Sequence, residues 1–104
     1  ITHGGNNTIT ECMGFGRPML ALPIFWDQHD NAQRVHETRY GIRLPTYALT
    51  HDRLAPAVDR LLSDGTLRGR VAAAGERLRS KPGTVAAADL IERVAAGGHP
   101  VTYA

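Results

Sequence analysis

Apolar residues in this chain occur either in short continuous runs or at helical spacing. Met19-Leu20-Ala21-Leu22 is a continuous run bounded by Pro18 and Pro23, which predicts a buried parallel strand. Ile42-Arg43-Leu44 predicts a second short strand or extended piece. We expect this piece to end before Pro45, because proline cannot donate to a sheet. The sequence between and after these runs is helical in character.

Five stretches carry apolar residues three or four positions apart, the spacing of one helix face. They are residues 8–15, residues 27 to about 39, residues 50–63 closed by Asp64-Gly65, a helix through Leu67 and Leu78 that ends at Ser80-Lys81-Pro82-Gly83, and a helix through Ala87 and Val94 stopped by Gly97-Gly98. The tail from His99 to Ala104 has no pattern, and we expect it to be loose.

The predicted elements follow the order loop, helix, strand, loop, helix, strand and then helices. This is the order in the second half of a doubly wound domain. We therefore predict an α/β fold, the C-terminal part of a Rossmann-like domain, with residues 1–98 as one partial domain and residues 99–104 as its tail. The first residue is Ile1, and the first motif follows at once. We expect the C-terminal end of a longer protein, with a processed or split subunit as the alternative.

Composition excludes several classes of protein. The net charge is +2 with 42% hydrophobic residues, and arginines are scattered among acidic residues, so no basic stripe indicates nucleic acid. The single cysteine, Cys12, excludes an internal disulfide, and we expect it to be a buried thiol. No apolar run approaches the ~18 residues of a membrane span. No signal peptide is visible, but a sequence that starts without Met could lack one through truncation. A cytoplasmic location is therefore only the default expectation.

The first polar cluster, Thr2 to Glu11, has the composition of a phosphate-binding loop. Glycine lets the backbone approach an anion, and the N–H groups of a following helix point at it. His3 could donate to a phosphate oxygen or bond to the backbone at a strand end, and the adjacent glycines favour phosphate. Asn7 and Thr8 could cap the helix, bind phosphate, or do both. Thr8 and Glu11 have capping-box spacing, whereas a functional Glu11 would accept from two ribose hydroxyls.

The second polar cluster, Pro23 to Ala32, also follows an apolar run. Asp27 could cap the second helix or bind the hydroxyls of a sugar. Gln28 has no evident capping role, and an adjacent acid and amide suit sugar hydroxyls. Trp26 could be an apolar wall or a sugar-facing surface, and core packing is the expectation. Both clusters follow predicted strands, so we expect them at one rim of the sheet.

Two histidines, His29 and His36, lie seven residues apart and share a helix face. A metal ion would need further ligands at suitable spacing, and the sequence offers none nearby, so no metal site is expected.

The residues HGGNNTITE and GRPMLALPIFWDQHDNAQRV, positions 3–11 and 16–35, resemble the nucleotide-sugar-binding signature of family 1 glycosyltransferases. These are the UDP-glycosyltransferase-like enzymes, including those that glycosylate macrolides and other natural products. The resemblance implies a two-domain GT-B fold with its active site in the cleft. It also implies inverting transfer of a hexose from a UDP- or dTDP-sugar to a small-molecule acceptor, without a metal or other cofactor.

The resemblance also implies roles for particular residues. Glu11 would hold the ribose, and Asp27 and Gln28 would bind the donor sugar. The nucleotide diphosphate would be held by His3, Gly5, Asn7 and Thr8. The family's catalytic base lies in the N-terminal acceptor domain, so no catalytic residue is expected here, and that domain or a partner chain is needed. The alternative function is a non-catalytic donor-binding subunit of a split glycosyltransferase.

Overall fold

Two short parallel strands form the centre of the computed structural model, which describes residues 1–98 and Pro100. Strand β1 is Met19–Ala21 and strand β2 is Gly41–Arg43, with Leu20 opposite Ile42. Thr2 adds a parallel bridge on the other side of β1: its N–H donates to the carbonyl of Leu20 at 2.9 Å. The first polar cluster therefore leaves the sheet directly from a paired position.

Within the described residues five helices accompany the sheet, and the sequence predicts all five. They are α1 (Asn6–Gly14), α2 (Gln28–Glu37), α3 (His51–Ser63), α4 (Gly65–Ser80) and α5 (Gly83–Gly97), with a 3-10 turn at Thr46–Ala48. The α/β order of elements is therefore confirmed. Helix boundaries shift by up to about two residues: α1 begins at residue 6 rather than 8, and α2 ends at residue 37 rather than about 39. Strand β2 begins at Gly41, which pairs with Met19 instead of ending the preceding helix.

The hydrophobic core lies between the sheet and the third and fourth helices. Its buried members are Leu20, Ile42, Ala57, Leu61 and Leu67. Helix α1 is held separately, against α4. A Cβ on Gly75 of α4 would lie 2.8 Å from the nitrogen of Gly16, so glycine is what permits this close approach.

The expectation that Cys12 is buried is wrong, and helix α5 has no buried residue. Cys12 is half-buried rather than buried, because α1 contacts α4 along one side only and buries none of its residues. The predicted helix α5 forms, but none of its residues is buried, and Val85 and Ile91 are 57% and 69% exposed. The expected loose tail falls on residues 99–104, which, apart from Pro100, lie outside the described residues. No helix of the described part is long and apolar enough to cross a membrane.

Candidate functional site

Two loops meet at one edge of the sheet, and we call them the first loop (residues 3–5) and the second loop (residues 22–27). The first loop follows the bridge at Thr2, and the second follows β1, which runs parallel to it. The side chain of Asn31 joins them: its Nδ2 lies 2.9 Å from the carbonyl oxygen of Gly4. The expectation that both polar clusters share one rim is therefore confirmed by geometry.

The first loop is organised by the His3 ring. Its Nδ1 accepts a hydrogen bond of 2.9 Å from the N–H of Gly5, which in a neutral ring places the proton on Nε2. A Cβ at residue 5 would lie 2.5 Å from Cε1 of the same ring, so only glycine leaves the ring in place. His3 is thus bonded to the backbone through one nitrogen and exposed, with a donor on the other. The two interpretations of this histidine are compatible.

Helix α1 begins without a side-chain cap. Gly5 is its N-cap, and the carbonyl of Gly5 accepts from the N–H of Ile9 at 3.1 Å. Thr8 therefore lies within the first turn, so the capping box of Thr8 and Glu11 does not form, and neither Asn7 nor Thr8 caps the helix. The N–H groups of residues 6–8 precede the first intrahelical bond and make no hydrogen bond within the described residues.

The second loop is held by Gln28, a role that the sequence pattern did not reveal. Gln28 is buried, and its Oε1 accepts from the N–H of Ile24 at 3.0 Å and from that of Phe25 at 3.1 Å. Within the described residues its Nε2 makes no hydrogen bond, which leaves a donor on the amide. The sequence signal for this role is a polar residue at the start of a helix. It follows two backbone N–H donors, those of Phe25 and Ile24, by three and four positions.

Asp27 precedes α2 but does not cap it. Its backbone is already helical, and its side chain makes no cap hydrogen bond. The carboxylate is exposed, and its Oδ2 lies 3.5 Å from Nδ2 of Asn31. The capping interpretation of Asp27 is therefore wrong, and the carboxylate is open to a ligand.

Trp26 is not a core residue, contrary to expectation. Its side chain is 83% exposed, and its φ of 54° lies in the left-handed region that disfavours bulky residues. Its ring meets that of Phe25 edge to face, with centroids 4.7 Å apart. Gln28 holds the backbone of Ile24 and Phe25 close to the start of α2. Trp26 lies in the short segment between them, and its indole is exposed.

The paired histidines of α2 have structural partners. Nδ1 of His36 accepts from the N–H of Arg43 on β2 at 3.1 Å. The Arg43 guanidinium donates to the carbonyl of His29 at 3.3 Å. These contacts attach α2 to β2. Among the described residues, no three side chains of His, Cys, Asp or Glu gather in a way that could hold a metal ion.

Comparison with known proteins identifies the family of the chain. The family model for UDP-glucoronosyl and UDP-glucosyl transferases matches residues 1–75. The chain belongs to this family. The resemblance to family 1 glycosyltransferases is thereby confirmed, and the α/β fold is that of the C-terminal part of a GT-B enzyme.

Individual relatives of the family are similar over most of the chain. A zeaxanthin glucosyltransferase of Pantoea ananas is 39% identical over 101 residues, which are 97% of this chain and 23% of that protein. The human UDP-glucuronosyltransferase 3A1 is 35% identical over 79% of this chain and 16% of its own length. A crystal structure of the glycotransferase of kitacinnamycin matches 88% of this chain and 24% of its own, at 40% identity and a TM-score of 0.78. The chain therefore spans about a quarter or less of these relatives.

Proposed function

We propose that this chain forms the nucleotide-sugar-binding part of an inverting glycosyltransferase. The donor is a UDP- or dTDP-hexose, and the acceptor is a small molecule. Family membership supports transfer of a sugar from a nucleotide. The observation that carries the proposal is the start of α1, where the exposed His3 ring lies against Gly5, next to the unbonded N–H groups of residues 6–8.

The start of α1 would stabilise the diphosphate. Its unbonded backbone N–H groups and the helix dipole favour negative charge at this end. His3 adds a donor through Nε2, and Asn7 and Thr8 add side-chain amide and hydroxyl donors. As the bond to the sugar breaks, negative charge grows on the leaving diphosphate, and donors fixed in advance by the fold stabilise that charge.

Ribose and sugar would lie on either side of the diphosphate. Glu11 is exposed one helical turn beyond Asn7, where its carboxylate can accept from two vicinal ribose hydroxyls. Asp27 would accept from sugar hydroxyls. Gln28 would act differently, because its Oε1 is occupied by the second loop and only its Nε2 can donate to a hydroxyl.

Deprotonation of the acceptor is assigned to the acceptor domain or a partner chain. The proposal gives His3 a role at the diphosphate, Glu11 a role at the ribose and Asp27 a role at the sugar, so none of these three side chains is assigned as the base. This chain would contribute donor binding and leaving-group stabilisation.

Replacing Glu11 with Ala tests the ribose role. Because Glu11 belongs to no capping box, the loss should fall on nucleotide affinity rather than on stability. A charge-assisted contact is worth ~1.5–3 kcal/mol, or about 10- to 150-fold in Kd. Calorimetry of the intact protein with UDP and dTDP measures affinity, and a thermal melt measures stability.

The matched control is Glu37→Ala, since Glu37 is an exposed carboxylate on α2 that contacts Gln33. It should leave nucleotide affinity unchanged. A lower melting temperature for Glu11→Ala with unchanged affinity would show that Glu11 supports the helix and that the ribose assignment is wrong.

A further inference from the structure

We propose that Asn31 is a positioning residue that couples the two loops, so that the diphosphate and the sugar of one donor are bound as a unit. This inference rests on the proposed function. In the proposed complex, Asn31 touches neither the diphosphate nor the sugar of the donor. It acts through the first loop, the start of α1 and Asp27.

The coupling follows from a count of hydrogen-bond donors. The Nδ2 of Asn31 carries two protons. Three acceptors surround it: the carbonyl of Gly4 at 2.9 Å, Oδ1 of Asn6 at 3.1 Å, and Oδ2 of Asp27 at 3.5 Å. The two shorter contacts take the protons, and the Asp27 carboxylate is the third, weakly held partner.

The contact with the first loop is tightly constrained. Gly4 is buried with a φ of 91°, and a Cβ there would lie 3.3 Å from the carbonyl oxygen of Gln28. The loop therefore lies directly on the first turn of α2. A buried carbonyl needs a donor, and Asn31 supplies it for Gly4 from a position 27 residues later in the chain.

This arrangement fixes the distance between the diphosphate-binding and sugar-binding groups. Asp27 and Asn31 are four residues apart at the start of α2, so they move together. A sugar hydroxyl that donates to Asp27 replaces the weakest of the three contacts and leaves the two bonds to the first loop and α1 intact. Without Asn31 the loops are no longer tied together, and the sugar adds less to the affinity of the nucleotide.

The test compares UDP with UDP-glucose, or dTDP with dTDP-glucose where the wild type prefers dTDP. The quantity is the factor by which the sugar nucleotide binds more tightly than the free diphosphate, measured by calorimetry on the intact protein. Asn31→Ala should reduce this factor about 5-fold, within the range for residues in contact. Asp27→Ala should reduce it similarly, and the double variant no further. Gln33→Ala, two residues along α2, is the control and should leave the factor unchanged.

A second variant and a ligand-free measurement complete the design. Asn31→Asp keeps the side-chain shape but removes the donor and places a second carboxylate beside that of Asp27. It should reduce the factor as Asn31→Ala does. In the free protein, both variants should shift the amide resonances of Gly4 and Gly5, whereas Gln33→Ala should not.

The outcomes separate the two proposals. Equal weakening of UDP and UDP-glucose in the Asn31 variants, or additive losses in the double variant, would overturn the coupling. Unshifted Gly4 and Gly5 resonances would overturn it as well. A wild type that binds neither nucleotide would refute the proposed function, and the resonances would still decide whether Asn31 holds the first loop.

Discussion

Helices α1 and α4 begin in contrasting ways. At α4, the Asp64 carboxylate accepts from the N–H of Leu67 at 3.1 Å and lies 3.4 Å from Arg60. At α1, the N-cap is Gly5, which has no side chain. The helix that carries its own carboxylate has its positive end occupied, whereas the open one can accept the anion of a ligand.

An open start alone does not make a phosphate site. Helices α2, α3 and α5 also begin without a side-chain cap hydrogen bond. Helix α2 also begins at the rim, after β1, so α1 is distinguished from it by the His3 ring that lies against Gly5. The unbonded N–H groups, the position at the rim and the adjacent ring are found together only at α1 among the helices of the described residues.

The largest effect is expected at the start of α1. His3→Ala removes the side-chain donor that the proposal assigns to the diphosphate. Gly5→Ala displaces the same ring, because the new Cβ would lie 2.5 Å from its Cε1. Each should weaken UDP by about 10- to 150-fold in Kd, the size of a charge-assisted contact, with little change in melting temperature.

Calorimetry and thermal melts measure both quantities. Gly14→Ala is the matched control, since a Cβ there meets nothing within 4 Å. If Gly5→Ala binds UDP as the wild type does, the ring does not contact the diphosphate and the contrast between α1 and α4 loses its functional meaning.

An intermediate effect is expected at the start of α2, where neighbouring residues should separate loop support from sugar binding. Gln28→Ala removes the acceptor of the Ile24 and Phe25 N–H groups and should cost about 1–3 kcal/mol of stability. Asp27→Ala should leave stability unchanged and weaken UDP-glucose but not UDP. Urea unfolding and calorimetry with both ligands are the measurements. Equal weakening of UDP and UDP-glucose by Asp27→Ala would mean that this carboxylate only holds the loop.

The smallest effect is expected at the capped start of α4. The hydrogen bond from Leu67 holds the pKa of Asp64 below its ordinary value of 3.8, and Arg60 acts in the same direction against desolvation. A lowered pKa in the folded state contributes stability above the unfolded pKa, and this contribution is lost as pH falls through the folded value.

Asp64→Asn keeps a capping oxygen but removes the charge. The stability difference from the wild type should be present at pH 7 and shrink below about pH 4, where the unfolded carboxyl takes up its proton. Urea unfolding across this range measures it, and UDP affinity at pH 7 should not change. A difference that is independent of pH would show that the charge of Asp64 does not matter.

The order of elements was predictable because breakers bound nearly every run. Pro18 and Pro23 enclose β1, and Gly83 and Gly97 mark the two ends of α5. The start of α1 was placed two residues late, since the spacing of Thr8 and Glu11 imitates a capping box. The helix instead begins at Asn6, directly after the three-residue first loop that follows the bridge at Thr2, and local spacing does not encode that.

The shared rim was predictable from strand order, but the contacts within it were not. Asn31 meets Gly4 across 27 positions, and no periodic pattern marks such a pair. Gln28 contacts the second loop only because of the path that the loop takes. Trp26 was expected in the core because hydrophobicity predicts burial, and here the path of the loop prevails over side-chain preference.

The left-handed backbone of Trp26 has a consequence for engineering. A non-glycine residue at a φ of 54° lowers the free energy of unfolding by about 1 kcal/mol relative to glycine. Removing an indole that is 83% exposed sacrifices little buried surface. A thermostability screen would therefore select glycine at this position. The same change deletes an aromatic surface beside Asp27, and a parallel screen for turnover would show whether that surface contributes to activity.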